Sequence, residues 1–226
     1  MRKTLLLLCP LLVASVASAA PCVPGNFFSY IGLASGCTVG SVTFSNFEFL
    51  GSPGLLANQV LVSIVDSGGN TGLEFSGPFT VNGGQQLDAL ISYLMSSTTP
   101  MNGDALSMSN VSITGDGSAM VVESLCVGGT TDSAGNCSGT VQSMIVSSTS
   151  VSSTDISFPD ATTVEVTKNV ILQGGTTGTT TIGTVSNTMP GGGGGTGGGP
   201  VPEPATLAML GSGLIGLSWA LRRCRA

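Results

Sequence analysis

Short apolar or alternating segments recur between glycine-rich turn clusters through most of the chain, and this rhythm constrains the fold most. The sequence contains 34 Gly, and charged residues make up only 8% of it. The straight-chain charged residues that favour helices are therefore scarce, whereas turn formers are abundant. This pattern predicts an all-β body, a β-sandwich or jelly roll of about nine or ten strands.

Ten segments carry strand patterns. They are residues 41–50, 60–65, 72–81, 86–95, 105–114, 118–127, 140–147, 151–158, 162–172 and 180–186. A change of phase at Ser45-Asn46 predicts a β-bulge. The segment Gln85 to Leu94 also fits one or two helical turns, so both interpretations stay open there.

Two turn clusters and one alternating segment lead to more specific predictions. Asn102-Gly103-Asp104 is expected to separate two strands, and Gly115-Asp116-Gly117 to form the tight turn of an antiparallel hairpin. The alternation from Val164 to Lys168 predicts a strand with a solvated face that carries Glu165 and Lys168.

The residues available for catalysis are few. The chain has no His, so mechanisms that use a Ser-His-Asp or Cys-His arrangement are excluded. A carboxylate-dependent hydrolase would need two facing acids in a cleft, and no local motif marks such a pair. We therefore expect a non-enzymatic protein without catalytic residues.

The charge of the body argues against nucleic-acid binding. From Pro21 to Pro200 the chain contains eleven acidic residues and a single basic one, Lys168, which gives a net charge of −10. Such a surface does not neutralise phosphates, and it repels anionic polysaccharide unless divalent cations bridge the two. We expect the charge to serve solubility.

Four cysteines lie in the body: Cys22, Cys37, Cys126 and Cys137. Export to an oxidising compartment would favour disulfides, and four cysteines permit three pairings. Pairing Cys22 with Cys37 and Cys126 with Cys137 is the simplest. A metal or redox site is disfavoured because no Cys-x-x-Cys spacing occurs.

Calcium is the one cofactor for which the sequence offers ligands. Asp66 with Asn70, Asp116, and Asp132 with Asn136 place oxygen atoms in glycine-rich turns. Asp and Asn are also ordinary turn residues, so we expect no bound metal and no cofactor. A sugar-binding surface is disfavoured because the body lacks Trp, contains only Tyr30 and Tyr93, and has phenylalanines that fit a core.

The beginning of the chain has the pattern of a secretory signal peptide. Arg2 and Lys3 precede an apolar run, and Ala17-Ser18-Ala19 forms a cleavage site. We expect residues 1–19 to be removed after Ala19, and the protein to be exported across the inner membrane.

The other end combines four features. A glycine-rich linker spans residues 190–200, and Pro202-Glu203-Pro204 follows it. An uncharged stretch at residues 205–221 has the length of a short transmembrane helix, and Arg222, Arg223 and Arg225 form a basic cluster that would stop transfer through the membrane.

This tail, residues 201–226, resembles a PEP-CTERM sorting signal. The resemblance implies recognition by an exosortase, an integral membrane enzyme of Gram-negative bacteria that produce exopolysaccharide, with cleavage near Pro-Glu-Pro. It implies transient anchoring in the inner membrane. It does not imply an activity for the body, whose segment Phe27 to Phe49 resembles that of uncharacterised exported proteins with such tails.

The sequence therefore predicts a β-sandwich body at residues 20–189 between two sorting signals. We expect a surface or extracellular-matrix protein of a biofilm, with the export machinery, an exosortase and exopolysaccharide as partners. The alternative is a glycan-binding or calcium-dependent adhesive module, and a carboxylate-dependent hydrolase comes third.

Overall fold

The computed structural model describes residues 19–190, and in this part of the chain almost every residue outside the turns is in a β-strand. The predicted all-β sandwich is confirmed. The described residues form fourteen strands, one short helix α1 (Phe27–Ile31) and one 3₁₀ turn (Ala57–Gln59). The strands are β1 (Ala20–Pro21), β2 (Gly25–Asn26), β3 (Cys37–Val39), β4 (Val42–Gly51), β5 (Leu61–Ser67), β6 (Asn70–Ser76), β7 (Thr80–Asn82), β8 (Gln86–Ser109), β9 (Ser112–Thr114), β10 (Ser118–Val127), β11 (Thr140–Ser147), β12 (Ser153–Gln173), β13 (Thr179–Thr181) and β14 (Thr184–Pro190).

Two long strands, β8 and β12, organise the molecule. They pair antiparallel along most of their length, and the register shifts twice, between Ser157 and Ala161 and between Ala161 and Thr163. The first half of β8 also pairs with β4, and the second half pairs with β14. Since irregular pairing lets a strand bend, β8 and β12 pass from one layer of the sandwich into the other.

The first layer contains β3, β4, the first half of β8, the second half of β12, β10 and β11. The second layer contains the first half of β12, the second half of β8, β14, β6, β5 and β2. A separate three-stranded sheet is formed by β7, β13 and β9. The apolar core lies between the two layers and includes Phe44, Phe75, Leu106 and Val166, all fully buried.

The bulge predicted at Ser45-Asn46 is confirmed. The register of β4 against β8 shifts between Ser45 and Glu48, and Asn46 has a φ of 53°. Asn tolerates this left-handed conformation better than most residues, so it suits the position. The segment Gln85 to Leu94, for which a helix was the alternative, lies almost entirely in β8 and is a strand.

Both specific turn predictions differ from the structure. Asn102-Gly103-Asp104 does not separate strands, because β8 continues through it and pairs with β12 at Gly103 and Asp104. Gly115-Asp116-Gly117 does turn the chain, but it does not close a hairpin. Strand β9 pairs with β13 in the small sheet, whereas β10 pairs with β11 and β12.

Candidate functional site

Five polar side chains meet inside the apolar core. This buried polar cluster consists of Tyr93, Asp104, Glu123, Lys168 and Asn187, each at most 1% exposed. The first layer contributes Tyr93 on β8, Glu123 on β10 and Lys168 on β12. Asp104, on the second half of β8, and Asn187, on β14, come from the second layer. The cluster therefore spans the sandwich.

The phase of β12 explains why Lys168 is inside. Val164, Val166 and Val170 are fully buried, and Lys168 shares their phase. The prediction of a solvated face carrying Glu165 and Lys168 is therefore wrong: the two side chains lie on opposite faces, and only Glu165 reaches the outer one. The period-two spacing of Lys168 with the valines was the sequence signal that could have located it.

Asn187 is the centre of the cluster. Its Nδ2 lies 2.7 Å from both carboxylate oxygens of Asp104 and 3.1 and 3.4 Å from those of Glu123. Its Oδ1 accepts a hydrogen bond from the Tyr93 hydroxyl. The amide thus donates towards two carboxylates and accepts from a phenol, which fixes its orientation.

Lys168 completes the cluster. Its ammonium forms an ion pair with Glu123 Oε2, and the two residues are direct neighbours on β12 and β10. Lys168 Nζ also lies 5.9 Å from the centre of the Tyr93 ring. One oxygen of Glu123 therefore touches the lysine nitrogen and also lies within reach of the Asn187 amide nitrogen.

The surroundings of the cluster are apolar. Phe44, Phe47 and Phe75 lie with ring centres 6.0, 5.9 and 5.8 Å from that of Tyr93. Burial raises the pKa of Asp104 to about 6, although Lys168 and the hydrogen bond from Asn187 act in the opposite direction. Burial also lowers the pKa of Lys168 to about 7, against the attraction of Asp104. Both groups are shifted towards their neutral forms, as expected where water is excluded.

A groove on the outer face of the first layer is a second candidate site. Its cavity volume is about 480 Å³, and Glu48, Ser92, Thr131 and Glu165 contribute polar groups to its lining. Glu48 lies on β4 and Glu165 on β12, the two strands that flank β8. Glu165 Oε2 accepts a hydrogen bond of 2.5 Å from the main-chain nitrogen of Thr131. The topology thus places in the lining of one groove two carboxylates that no sequence motif had paired.

The four cysteines form two disulfides, Cys22–Cys37 and Cys126–Cys137, with Cα–Cα distances of 4.8 and 5.5 Å. This is the sequence-local pairing. The second disulfide closes the loop that contains Thr131, and so it holds one wall of the groove.

Two of the candidate calcium ligands, Asp116 and Asp132, use their carboxylate oxygens in hydrogen bonds to other residues. Asp116 accepts hydrogen bonds from Thr176, and Asp132 Oδ1 accepts from the main-chain nitrogens of Ala134 and Asn136. Asp66 lies on β5 and Asn70 begins β6, on either side of the turn between these strands. Among residues 19–190, no group of three or more His, Cys, Asp or Glu side chains is close enough to hold a metal ion.

The phenylalanines were expected to lie in the core, and Phe28 is an exception. Tyr30 and Tyr93 are both buried, so neither offers a surface for a sugar ring. Phe28 does not belong to the core, because it lies on α1 with 65% of its surface exposed. The Phe28 ring by itself is a small platform for stacking.

The sorting residues predicted from the sequence lie outside the described residues. These are Pro202, Glu203 and Pro204, the cluster Arg222, Arg223 and Arg225, and the predicted transmembrane helix at 205–221. Residues 1–18 of the predicted signal peptide lie outside them as well. Within residues 19–190, no helix has the length and apolar character needed to cross a membrane.

Comparison with known proteins confirms the resemblance seen in the tail. Residues 200–223 match the PEP-CTERM protein-sorting motif, so the chain carries this signal. No curated protein has a sequence that matches the chain.

Two solved structures resemble the fold. TmCBM61 in complex with β-1,4-galactotriose is 12% identical with a TM-score of 0.33, over 72% of this chain and 97% of that one. The Glycosylation Associate Protein (Gap123) complex from Streptococcus agalactiae is 15% identical with a TM-score of 0.29, over 70% of this chain and 27% of that one.

Proposed function

We propose that the protein is a non-enzymatic component of the cell surface or the extracellular matrix, delivered there by its PEP-CTERM signal. The match at residues 200–223 carries this proposal, since it indicates an exported protein. In the proposed route the signal peptide directs export, the tail holds the chain in the inner membrane, and an exosortase releases it near Pro202-Glu203-Pro204.

The body supports an extracellular role. Both disulfides require an oxidising compartment to persist, as the periplasm and the cell surface provide. The acidic surface favours solubility after release, and divalent cations would allow it to associate with anionic exopolysaccharide.

The sorting route is tested by replacing all three motif residues, Pro202→Ala, Glu203→Ala and Pro204→Ala, in the full chain in its own cells. We expect the triple variant to accumulate in the inner-membrane fraction, while the wild type is recovered from the surface or the medium. A control variant with Gly195→Ala and Gly197→Ala in the linker should be sorted like the wild type. Equal surface recovery of the triple variant would contradict the proposal.

The groove lined by Glu48 and Glu165 favours a second candidate function, binding of a polar polymer such as a surface glycan. Its lining combines carboxylates and hydroxyls with Leu94 and Leu33, a mixture suited to sugar rings and their hydroxyl groups.

We expect binding of the isolated exopolysaccharide to weaken at least tenfold in the Glu48→Gln, Glu165→Gln double variant. Matched substitution of Glu74 on β6 and Asp155 on β12 should leave binding unchanged. Repeating the titration with calcium and with a chelator tests whether calcium bridges the protein and the exopolysaccharide. Identical binding by the wild type and all variants would exclude the groove as the binding site.

A further inference from the structure

The buried polar cluster has the components of an amide-forming reaction. It contains one lysine nitrogen, one carboxamide and two carboxyl groups, all shielded from water. Glu123 Oε2 is in contact with Lys168 Nζ and lies 3.4 Å from Asn187 Nδ2. A single carboxyl group thus connects a nucleophile with the group that would leave. We propose that Lys168 and Asn187 form an intramolecular amide bond that covalently joins the two layers of the sandwich.

The reaction balances without any further reactant. The neutral Nζ of Lys168 attacks Cγ of Asn187 and forms a new N–C bond. The Cγ–Nδ2 bond breaks, and Nδ2 leaves as ammonia. The proton released by Nζ passes to the Glu123 carboxyl group, which returns a proton to the departing nitrogen. The products are one secondary amide and one molecule of ammonia, with no oxidation or reduction.

Each remaining contact suits this step. The Tyr93 hydroxyl donates to Asn187 Oδ1, where negative charge develops during the attack. Asp104 lies 2.7 Å from Nδ2 and can place a second acid beside the leaving group. Shielding by Phe44, Phe47 and Phe75 keeps water from competing with the amine.

The charge state supports the same step. Because burial lowers the pKa of Lys168 to about 7, a substantial share of the amine is neutral near neutral pH. Because burial raises the pKa of Asp104 to about 6, its neutral acid form is also accessible. Conversion of the lysine to an amide removes the only cation of the cluster, and a protonated carboxyl can then donate a hydrogen bond to the new amide.

The proposed bond would connect the two layers of the sandwich. Lys168 lies on β12 in the first layer and Asn187 on β14 in the second. The two layers are otherwise connected by β8 and β12 and by apolar packing. A covalent bond between them would keep the two layers together even when the apolar packing between them is disrupted.

The sequence allows a direct test on the full chain. Lys168 is the only Lys or Arg between residues 4 and 221, so trypsin can cut this region only after Lys168. The purified protein is denatured, reduced and alkylated, and its intact mass is measured before and after digestion with trypsin. We expect no cleavage after Lys168 and a mass one ammonia lower than the mass calculated for the alkylated chain with its observed first and last residues. Digestion with chymotrypsin should yield a branched peptide that contains both Lys168 and Asn187.

Each other outcome contradicts the proposal. The full calculated mass, together with cleavage after Lys168, means that no bond forms. Loss of one water instead of ammonia means that the lysine is joined to a carboxyl group rather than to Asn187. Loss of ammonia with normal cleavage after Lys168 means that an asparagine has cyclised elsewhere.

Variants test the roles of single residues. Asn187→Ala should restore the full mass, and Glu123→Gln should reduce the crosslinked fraction at least tenfold while keeping both bonded residues. Asn169→Ala, next to Lys168 on the opposite face of β12, should crosslink like the wild type. A Glu123→Gln chain that is folded by circular dichroism yet fully crosslinked would exclude the proton-transfer role of Glu123. The wild-type measurement does not depend on the folding of any variant.

Discussion

At the scale of single residues, Tyr93 links the apolar core to the buried polar cluster. Its ring packs among three phenylalanines, and its hydroxyl donates to Asn187 Oδ1. Replacement by Phe keeps the packing but leaves a buried acceptor without its donor. Such an acceptor costs about 1–3 kcal/mol. We therefore expect Tyr93→Phe to lower the free energy of unfolding by that amount, measured from urea unfolding curves.

Tyr30 provides the matched control. Its hydroxyl also donates a hydrogen bond, of 2.6 Å, to the carbonyl oxygen of Val23. Val23 is 68% exposed, so water can replace the lost donor. Tyr30→Phe should therefore cost well under half as much as Tyr93→Phe. Equal losses in the two variants would show that the hydroxyl of Tyr93 has no special role in the cluster.

Lys168 is a residue for which the sequence prediction was wrong. The alternation from Val164 to Lys168 predicts a solvated face for Glu165 and Lys168, although the phase that Lys168 shares with Val164, Val166 and Val170 indicates the core. A lysine in an apolar phase is normally an exception to the pattern, because burial of a lone ammonium is costly. Its partners Glu123 and Asp104 lie 45 and 64 residues earlier in the chain, so nothing local indicated that the charge would be paired.

At the scale of elements, Asp116 connects two turns through hydrogen bonds. Its carboxylate accepts hydrogen bonds from the main-chain nitrogen of Thr176 at 2.8 and 3.0 Å and from the Thr176 hydroxyl at 2.7 Å. The turn before β10 is thereby attached to the turn between β12 and β13. These hydrogen bonds, above all the main-chain one, lower the pKa of Asp116 from 3.8 to about 2.

This shift predicts how stability depends on pH. A carboxyl group whose pKa is lower in the folded state than in the unfolded state stabilises the fold at pH values above its unfolded-state pKa. This stabilisation is lost as the pH falls through the folded-state pKa. For Asp116 the loss occurs between pH 3.8 and about pH 2. We expect Asp116→Asn to be less stable than the wild type at neutral pH and the difference to shrink across this acidic interval. The measurement is the thermal unfolding midpoint at a series of pH values.

Asp66→Asn, at the exposed turn between β5 and β6, serves as the control for the loss of one carboxylate. Asp66→Asn should lower the unfolding midpoint at neutral pH less than Asp116→Asn does, because only Asp116 connects its turn to Thr176 of a second turn. A difference between the wild type and Asp116→Asn that stays constant down to about pH 2 would contradict the assignment of this transition to Asp116.

Of the strand features predicted from the sequence, the bulge in β4 was correct and the break at Asn102-Gly103-Asp104 was wrong. The bulge in β4 could be predicted because a change of phase is a local property of the sequence. The continuity of β8 through Asn102-Gly103-Asp104 could not, since turn residues within a strand are tolerated where tertiary pairing outweighs local preference. Asp104 in particular has a buried partner in Asn187 that no local pattern reveals.

At the scale of the whole molecule, composition and turn spacing were enough to predict a sandwich, and the residues of the tail were enough to predict the PEP-CTERM motif. The number of strands and the bending of β8 and β12 between layers depend on pairing over long distances along the chain. The buried polar cluster depends on the same topology, because its five residues come from four strands. The cluster therefore becomes visible only in the folded structure.

We propose that this sandwich is delivered to the cell surface by two signals, residues 1–19 and the PEP-CTERM tail, and that both are removed. The intact mass of the protein recovered from the surface fraction of its own cells tests it most directly. We predict a chain that begins after Ala19, ends near Pro202 and is absent in this form from the inner membrane. A chain that keeps residues 205–226 and remains in the inner membrane would contradict the claim, and the protein would then be a tethered periplasmic domain.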